Sequence, residues 1–267
     1  MPSKKRTQSP RSPLPKYMPM EAEQVDDLPT GVGWQFEPKW DGFRCIGVRN
    51  GRRVHLISKS GKPLGRYFPE IEQALKEASI GNFVIDGELC IPIRNELSFE
   101  HLQMRLHPAA SRVAKLSHET PALFILFDLL AIDGVDLVRA PLTERRAKLE
   151  AFFADLRGHH AFRLSPTTAS RAQAKRWLSR AGGGALDGVV AKRIDEPYRM
   201  GERAMLKIKC LRTADCVVGG FRYATGSKLV GSLLLGLYNE SGKLDHVGLT
   251  SVTLKEASTV PPLKRRR

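Results

Sequence analysis

Glu37-Pro38-Lys39-Trp40-Asp41-Gly42-Phe43-Arg44 is the stretch on which the reading of this 267-residue chain turns. Lys39 stands two residues before an Asp-Gly pair and five before an arginine, a spacing that suits a nucleophilic amine carried beside its own phosphate clamp. A free lysine is protonated at neutral pH, with a pKa of about 10.4. Only the neutral amine attacks phosphorus, so neighbouring cations or a metal must help release the proton. Four residues of the type K-x-D-G arise often by chance, and their weight depends on what the rest of the chain places around them.

Working outward, residues 43–58 read as a β-hairpin, with Asn50-Gly51 as the tight turn before Val54-His55-Leu56-Ile57. Ser58-Lys59-Ser60-Gly61 follows it. Pro69 opens a helix with Ile71, Leu75 and Ala78 on one face. Residues 82–93 and 122–132 are apolar runs of strand character. The first contains Asp86-Gly87-Glu88-Leu89, and a carboxylate there is costly unless it meets a metal, a hydroxyl or a cation. The second carries Phe127 among aliphatics and turns at Asp133-Gly134. Thr143 is placed to N-cap a helix bearing Leu149, Phe152, Phe153 and Leu156, and Ser170 to cap another that stops at Gly182-Gly183-Gly184. Leu186-Asp187-Gly188-Val189-Val190-Ala191-Lys192 and Leu206-Lys207-Ile208-Lys209 read as strands, and Lys207 and Lys209 share a face of theirs. Strands mixed with a few helices give an α+β class. Taken one at a time, these elements are a surface lysine, an acidic turn, a core phenylalanine and an edge strand with protective lysines. The fixed order Lys39, Glu88, Phe127, Asp187, Lys207/Lys209 is what chance does not readily supply. After Thr213 three strands follow, at residues 216–221, 232–238 and 244–249.

The net charge of +15 points to a polyanionic partner. Lys4, Lys5, Arg6, Arg11 and Lys16 at one end and residues 264–267 at the other carry the larger share of the excess, which suits salt-dependent contact with a phosphate backbone. Residues 1–28 read as a flexible basic arm and 252–267 as a basic tail. Hydrophobic content of 42% is enough for a packed core, with no run long enough to span a bilayer and no secretory signal. Cys45, Cys90, Cys210 and Cys216 form no C-x-x-C pair, so a reduced cytoplasmic protein without a zinc site is expected.

In that order the elements resemble the nucleotidyltransferase core of ATP-dependent DNA ligases, nearest to the compact ligases of bacterial end-joining systems, over residues 29–251. The resemblance implies an antiparallel-sheet adenylation domain at 29–213 and a partial OB-fold domain at 214–251. It implies that Lys39 takes AMP from ATP, passes it to a 5′-phosphate, and that a 3′-hydroxyl then closes the nick. Glu37, Arg44, Lys59, Glu88, Phe127, Lys192, Lys207 and Lys209 would bind ATP, with Phe127 on adenine, Lys192 facing the nucleotide phosphate and the lysine pair on the α-phosphate. Glu88 and Asp187 would hold Mg²⁺ or Mn²⁺. Nicked duplex DNA and end-joining repair proteins are the implied partners of a monomeric, nucleoid-associated enzyme of DNA repair. The chain departs from the family pattern with Lys59 where arginine is usual and Asp187 where glutamate is usual. Three strands stand where the family's OB domain has about five and ends in a basic motif on the ATP β- and γ-phosphates. The expectation is a chain better at sealing a pre-adenylated nick than at charging itself. The alternatives are an RNA ligase or capping-type nucleotidyltransferase, and a truncated chain that mainly binds DNA.

Overall fold

The structure, a computed structural model, describes residues 17–94, 96–156, 159–182, 186–210, 215–227 and 229–251. They fall into two compact units divided between Leu211 and Arg212. Both basic tails, at 1–16 and 252–267, lie outside the described residues, as do Gly183, Gly184 and Thr213.

In chain order the first unit runs β1 (Glu21–Gln24), β2 (Trp34–Trp40), β3 (Phe43–Asn50), β4 (Arg53–Ser58), α1 (Pro69–Glu77), β5 (Asn82–Cys90), β6 (Pro92–Ile93) and β7 (Glu96–Leu97). It continues with α2 (Phe99–Met104), α3 (Ala110–Glu119), β8 (Leu123–Ile132), β9 (Val135–Asp136), α4 (Leu142–Asp155), β10 (Phe162–Leu164), α5 (Arg171–Ser179), β11 (Leu186–Arg193) and β12 (Arg203–Lys209). Two larger sheets organise it. One has the order β1-β12-β11-β2, antiparallel except for β1 against β12. The other has the order β10-β8-β5-β3-β4, antiparallel except for β10 against β8.

Strand alternation decides what each sheet face meets. In β3, Cys45 joins the core shared with α1 and α4, whereas Ile46 and Val48 face the opposite way and pack with Met20, Tyr198 and Met205. In β11, Val189 and Ala191 turn toward Ala174 of α5, leaving Val190 and Lys192 on the other face. The hairpin forms as its Asn-Gly turn demands, with Asn50 opposite Arg53 and Gly51 at φ 58°.

Three features differ from the sequence reading. The basic arm does not extend to residue 28: Met20 and Leu28 are buried, and β1 pairs with β12. Asp86 and Glu88 do not form an acidic turn but sit within a strand that continues to Cys90. Thr143 does not cap α4, because the backbone carbonyls of Glu196 and Ile194 accept from the Leu142 and Thr143 amides, both at 3.1 Å, and supply what a cap would. Ser170 does cap α5, accepting from the Gln173 amide at 3.3 Å.

The second unit is a meander of β13 (Val217–Tyr223), β14 (Val230–Tyr238) and β15 (Leu244–Ser251), with β14 paired antiparallel to both neighbours.

Candidate active site

Two cross-strand rungs of the first sheet carry three of the cations. Lys39, Gly188 and Lys209 lie opposite one another on β2, β11 and β12, and Glu37, Val190 and Lys207 form the next rung but one. Side chains of such rungs stand on one face and within reach of each other. A bulge adds the acid. Leu186 opposes Trp40 and Gly188 opposes Lys39, so Asp187 is the extra residue, re-aimed by the break in register. Its Oδ2 accepts from Lys39 Nζ at 2.6 Å and from Lys209 Nζ at 2.8 Å. Burial works against this carboxylate, but the hydrogen bonds from Lys209 and Lys39 outweigh it and hold the carboxyl below its usual range.

A second bulge, in the other sheet, supplies the aromatic. Asp86 opposes Asp128 and Gly87 opposes Leu126, which leaves Phe127 unpaired. The alternation shifts there: Phe124, Leu126 and Leu129 all face the helical core, while Phe127 faces the cavity. Arg44 Cζ lies 4.7 Å from the Phe127 ring centroid and Lys192 Nζ 4.9 Å from it, so two cations border one ring. Lys192 and Glu37 are buried together at 2.8 Å, with Gln35 Nε2 donating to Glu37 at 2.9 Å. Lys192 thus sits beside the aromatic, bonded to Glu37, where the resemblance had turned it toward phosphate.

These faces enclose a cavity of about 270 Å³. Lys39 and all eight residues assigned to ATP line it, and Asp187 joins through its bond to Lys39. Lys207 faces it as well, its ammonium lowered by burial and by the cations Lys209, Lys39, Lys59 and Arg203. Lys59 is more exposed than the rest and pairs with Glu21 at 3.1 Å. A second cavity, of about 1050 Å³, shares Arg44, Lys59 and Glu88 and adds Lys62, Arg66 and Tyr67.

Sequence reasoning missed what holds Arg44. Asp86 is fully buried and accepts from Arg44 Nε at 2.7 Å, from Arg44 Nη2 at 2.6 Å and from the Tyr198 hydroxyl at 2.6 Å. The available signal was an acid in an apolar strand two residues from Glu88, the residue that stands opposite Arg44 in the strand register.

Glu88 has no hydrogen-bond or ion-pair partner among the described residues and lines both cavities. Burial pushes its carboxyl up to about 8, against the pull of Arg44 and Lys39. The folded protein therefore binds a proton here that the unfolded chain releases at lower pH. Glu88 then makes the fold lose stability as pH rises from the ordinary carboxylate range toward 8. Thermal melts of wild type and Glu88→Gln at pH 5 and pH 8 should show the variant gaining relative stability at the higher pH. A constant difference between the two proteins would contradict a raised Glu88.

Gly188 is the hinge of the Asp187 bulge. Its φ is 153°, and a Cβ there would lie 2.0 Å from the Ile208 carbonyl oxygen. Gly188→Ala should cost about 1–3 kcal/mol in backbone strain alone and push β12, with Lys207 and Lys209, away from Lys39. Urea denaturation reads the first effect. Retention of wild-type stability would remove the close approach as a constraint.

The comparisons with known proteins follow the same residues. The family model described as ATP dependent DNA ligase domain matches residues 19–209. DNA ligase C2 of Mycolicibacterium smegmatis is 48% identical over 237 residues, which cover 88% of this chain and 66% of that protein. DNA ligase C of Mycobacterium tuberculosis is 46% identical over 243 residues, with the same coverage of each chain. The chain thus spans just under two thirds of the length of these relatives. Among solved structures, mycobacterial DNA ligase D complexed with ATP and MES superposes with a TM-score of 0.55 at 26% identity, covering 90% of this chain and 74% of that one. With the family model spanning every residue of the lysine-bearing cavity, the chain belongs to the ATP-dependent DNA ligase family.

Proposed function

We propose that this chain acts as an ATP-dependent DNA ligase of DNA repair, working through a lysyl-AMP intermediate on Lys39. The observation that carries this is the placing of the Lys39 amine in a cavity with a cation-bordered aromatic and two further lysines two strands away, across β11. The relatives named as DNA ligases, and the structural neighbour that holds ATP, support the substrate class.

Asp187 orients the Lys39 amine in the resting site. Lys207 and Lys209, on one face of β12, meet the α-phosphate, and Arg44 offers the Nη1 that its contacts with Asp86 and Met20 leave over. Such preset charges stabilise a phosphoryl group as its charge grows. Glu37 and the Phe127 face recognise adenine. A divalent cation, Mg²⁺ or Mn²⁺, would neutralise phosphate charge. The unpartnered carboxyl of Glu88 fits such an ion; Asp187 would contribute its Oδ1, since Oδ2 already holds two ammonium groups. The wider cavity, with Lys59, Lys62 and Arg66, suits the 5′-phosphate strand of a nicked duplex. The first unit is the adenylation domain on this reading, and the second a part of an OB fold. End-joining repair proteins are the partner class to test. No helix among the described residues is long and apolar enough to cross a membrane.

The test is incubation with α-³²P-labelled ATP and Mg²⁺, followed by sealing of a nicked duplex. A labelled band and a sealed product are expected; a chain that binds duplex DNA without either would leave only the binding role. A nick in RNA, and GTP in place of ATP, separate the RNA-ligase and capping readings. Phe127→Ala should weaken ATP binding by about 1–3 kcal/mol, the usual worth of stacking a base on an aromatic ring. Calorimetric titration with ATP checks it, and an unchanged affinity would return Phe127 to the core.

A further inference from the structure

Tyr198 lines neither cavity, yet through Asp86 it is linked to Arg44, which lines both. It sits in the connection between β11 and β12 and is buried. Its hydroxyl donates to Asp86 Oδ2 at 2.6 Å and accepts from the Met20 amide at 2.8 Å. Arg44 Nη2 donates to the same Asp86 oxygen at 2.6 Å and to the Met20 carbonyl at 3.2 Å. The four residues close a ring of hydrogen bonds: Arg44 to Asp86, Asp86 to Tyr198, Tyr198 to Met20, and Met20 back to Arg44. Met20 is also a wall of the smaller cavity. The ring thus fixes a guanidinium and a stretch of wall together, from four separate segments of the chain.

We propose that Tyr198 is a positioning residue for nucleotide chemistry, its hydroxyl locking the Asp86–Arg44 fork so that Arg44 Nη1 is held toward the bound nucleotide. The proposal rests on the reading that the smaller cavity takes ATP. Its physical basis is the geometry of the fork. Arg44 spends three of its five N–H donors on Asp86 and Met20, and Nη1 has no protein acceptor among the described residues. The direction of Nη1 follows rigidly from the other two nitrogens, because the guanidinium is planar. A carboxylate that holds such a fork is itself free to tilt about its own bonds unless something else holds it. The Tyr198 hydroxyl is that second hold, and its loss leaves a buried carboxylate oxygen and a backbone amide each short of a partner. Tyr198 is itself kept in place from behind: Arg145 lies 5.7 Å from its ring and donates to the Glu196 carbonyl in the same connection.

The experiment is a double-mutant cycle on the full chain with Tyr198→Phe, Arg44→Ala and the two combined, each confirmed as folded by circular dichroism. Two readouts are taken, the rate of Lys39 labelling by α-³²P-labelled ATP and the affinity for ATP by calorimetry. Tyr198→Phe alone should slow labelling about tenfold or more, as misaimed catalytic groups do. In the Arg44→Ala background it should cost nothing further, in rate or affinity. Losses that multiply would show that Tyr198 acts through general packing, and no loss in the single variant would show that it does not act at all; either overturns the proposal. If Tyr198→Phe does not fold, Asp86→Asn takes its place in the same cycle, and failure of both to fold marks the ring as structural only. A wild type that binds ATP without labelling Lys39 sinks the ligase reading but not this one, which the affinity cycle then decides. A wild type that does not bind ATP sinks both.

Discussion

Lys39→Ala is expected to abolish the labelled adduct completely while leaving the protein folded. The first half follows from chemistry, since no other nucleophilic amine stands at the end of β2 with Asp187 against it. The second half follows from exposure. The Lys39 and Asp187 side chains are 24% and 27% exposed, so their pair is worth at most about 1 kcal/mol after solvent screening. Lys209 keeps its own contact with Asp187 at 2.8 Å, so the variant does not strand a carboxylate. Lys39→Arg should be equally inactive, because a guanidinium stays protonated and cannot attack. Mass spectrometry of the labelled wild type should find AMP on Lys39. Attachment at Lys207 or Lys209 would move the nucleophile two strands over, to β12, and turn Lys39 into part of the clamp.

The residues of this site were legible in the sequence because each belongs to a short local pattern, while the pairings that bring them together are not local. Phe127 and Asp187 show the difference. Both were singled out by type and order, but nothing in the sequence says that each is the extra residue of a bulge. A register break is a property of two strands, and period-2 alternation along one of them cannot reveal it. For the same reason the Asp-Gly pair at 86–87 read, taken alone, as an acidic turn, and the pair at 187–188 as part of an ordinary strand. In the structure the glycines are points of close backbone approach, with a Cβ at Gly87 falling 2.5 Å from the Ile125 carbonyl oxygen.

Among the strands that line the cavity, two escaped sequence reading for opposite reasons. β2 contains Pro38, which argues against a central strand; β2 lies at the edge of its sheet, where a missing amide goes unnoticed. β1 is Glu-Ala-Glu-Gln, with no apolar signature, and its partner lies about 180 residues onward at β12. Polar β1 is nonetheless part of the cavity wall, through Glu21 and Ala22. The helices α1, α4 and α5 were easier, because an opening residue and an apolar face lie within one segment, whereas α2 and α3 went unread. Thr143 failed as a cap only because carbonyls from the β11–β12 connection had already met the amides.

Arg145→Met is expected to destabilise the first unit by about 3–5 kcal/mol, the cost of stranding one partner of a buried ion pair. Arg145 and Asp128 are each 1% exposed. Arg145 donates to Asp128 through Nε at 2.8 Å and Nη2 at 3.2 Å, and its Nη1 reaches the Ala140 carbonyl at 2.6 Å and that of Glu196 at 3.2 Å. One side chain therefore joins β8, the approach to α4 and the connection that carries Tyr198. Met matches much of the apolar volume but leaves the Asp128 carboxylate with only the Leu129 amide as a partner among the described residues. Removing both charges, as Arg145→Met with Asp128→Leu, should cost less than the single change, because no ion is then left buried without compensation. Urea denaturation of the single and double variants measures this. A single variant within about 1 kcal/mol of wild type would show that water or a neighbour already serves Asp128. A double variant worse than the single would show that the pair's value lies in the carbonyls it gathers, and that the Glu196 contact is what keeps the wall behind the cavity in place.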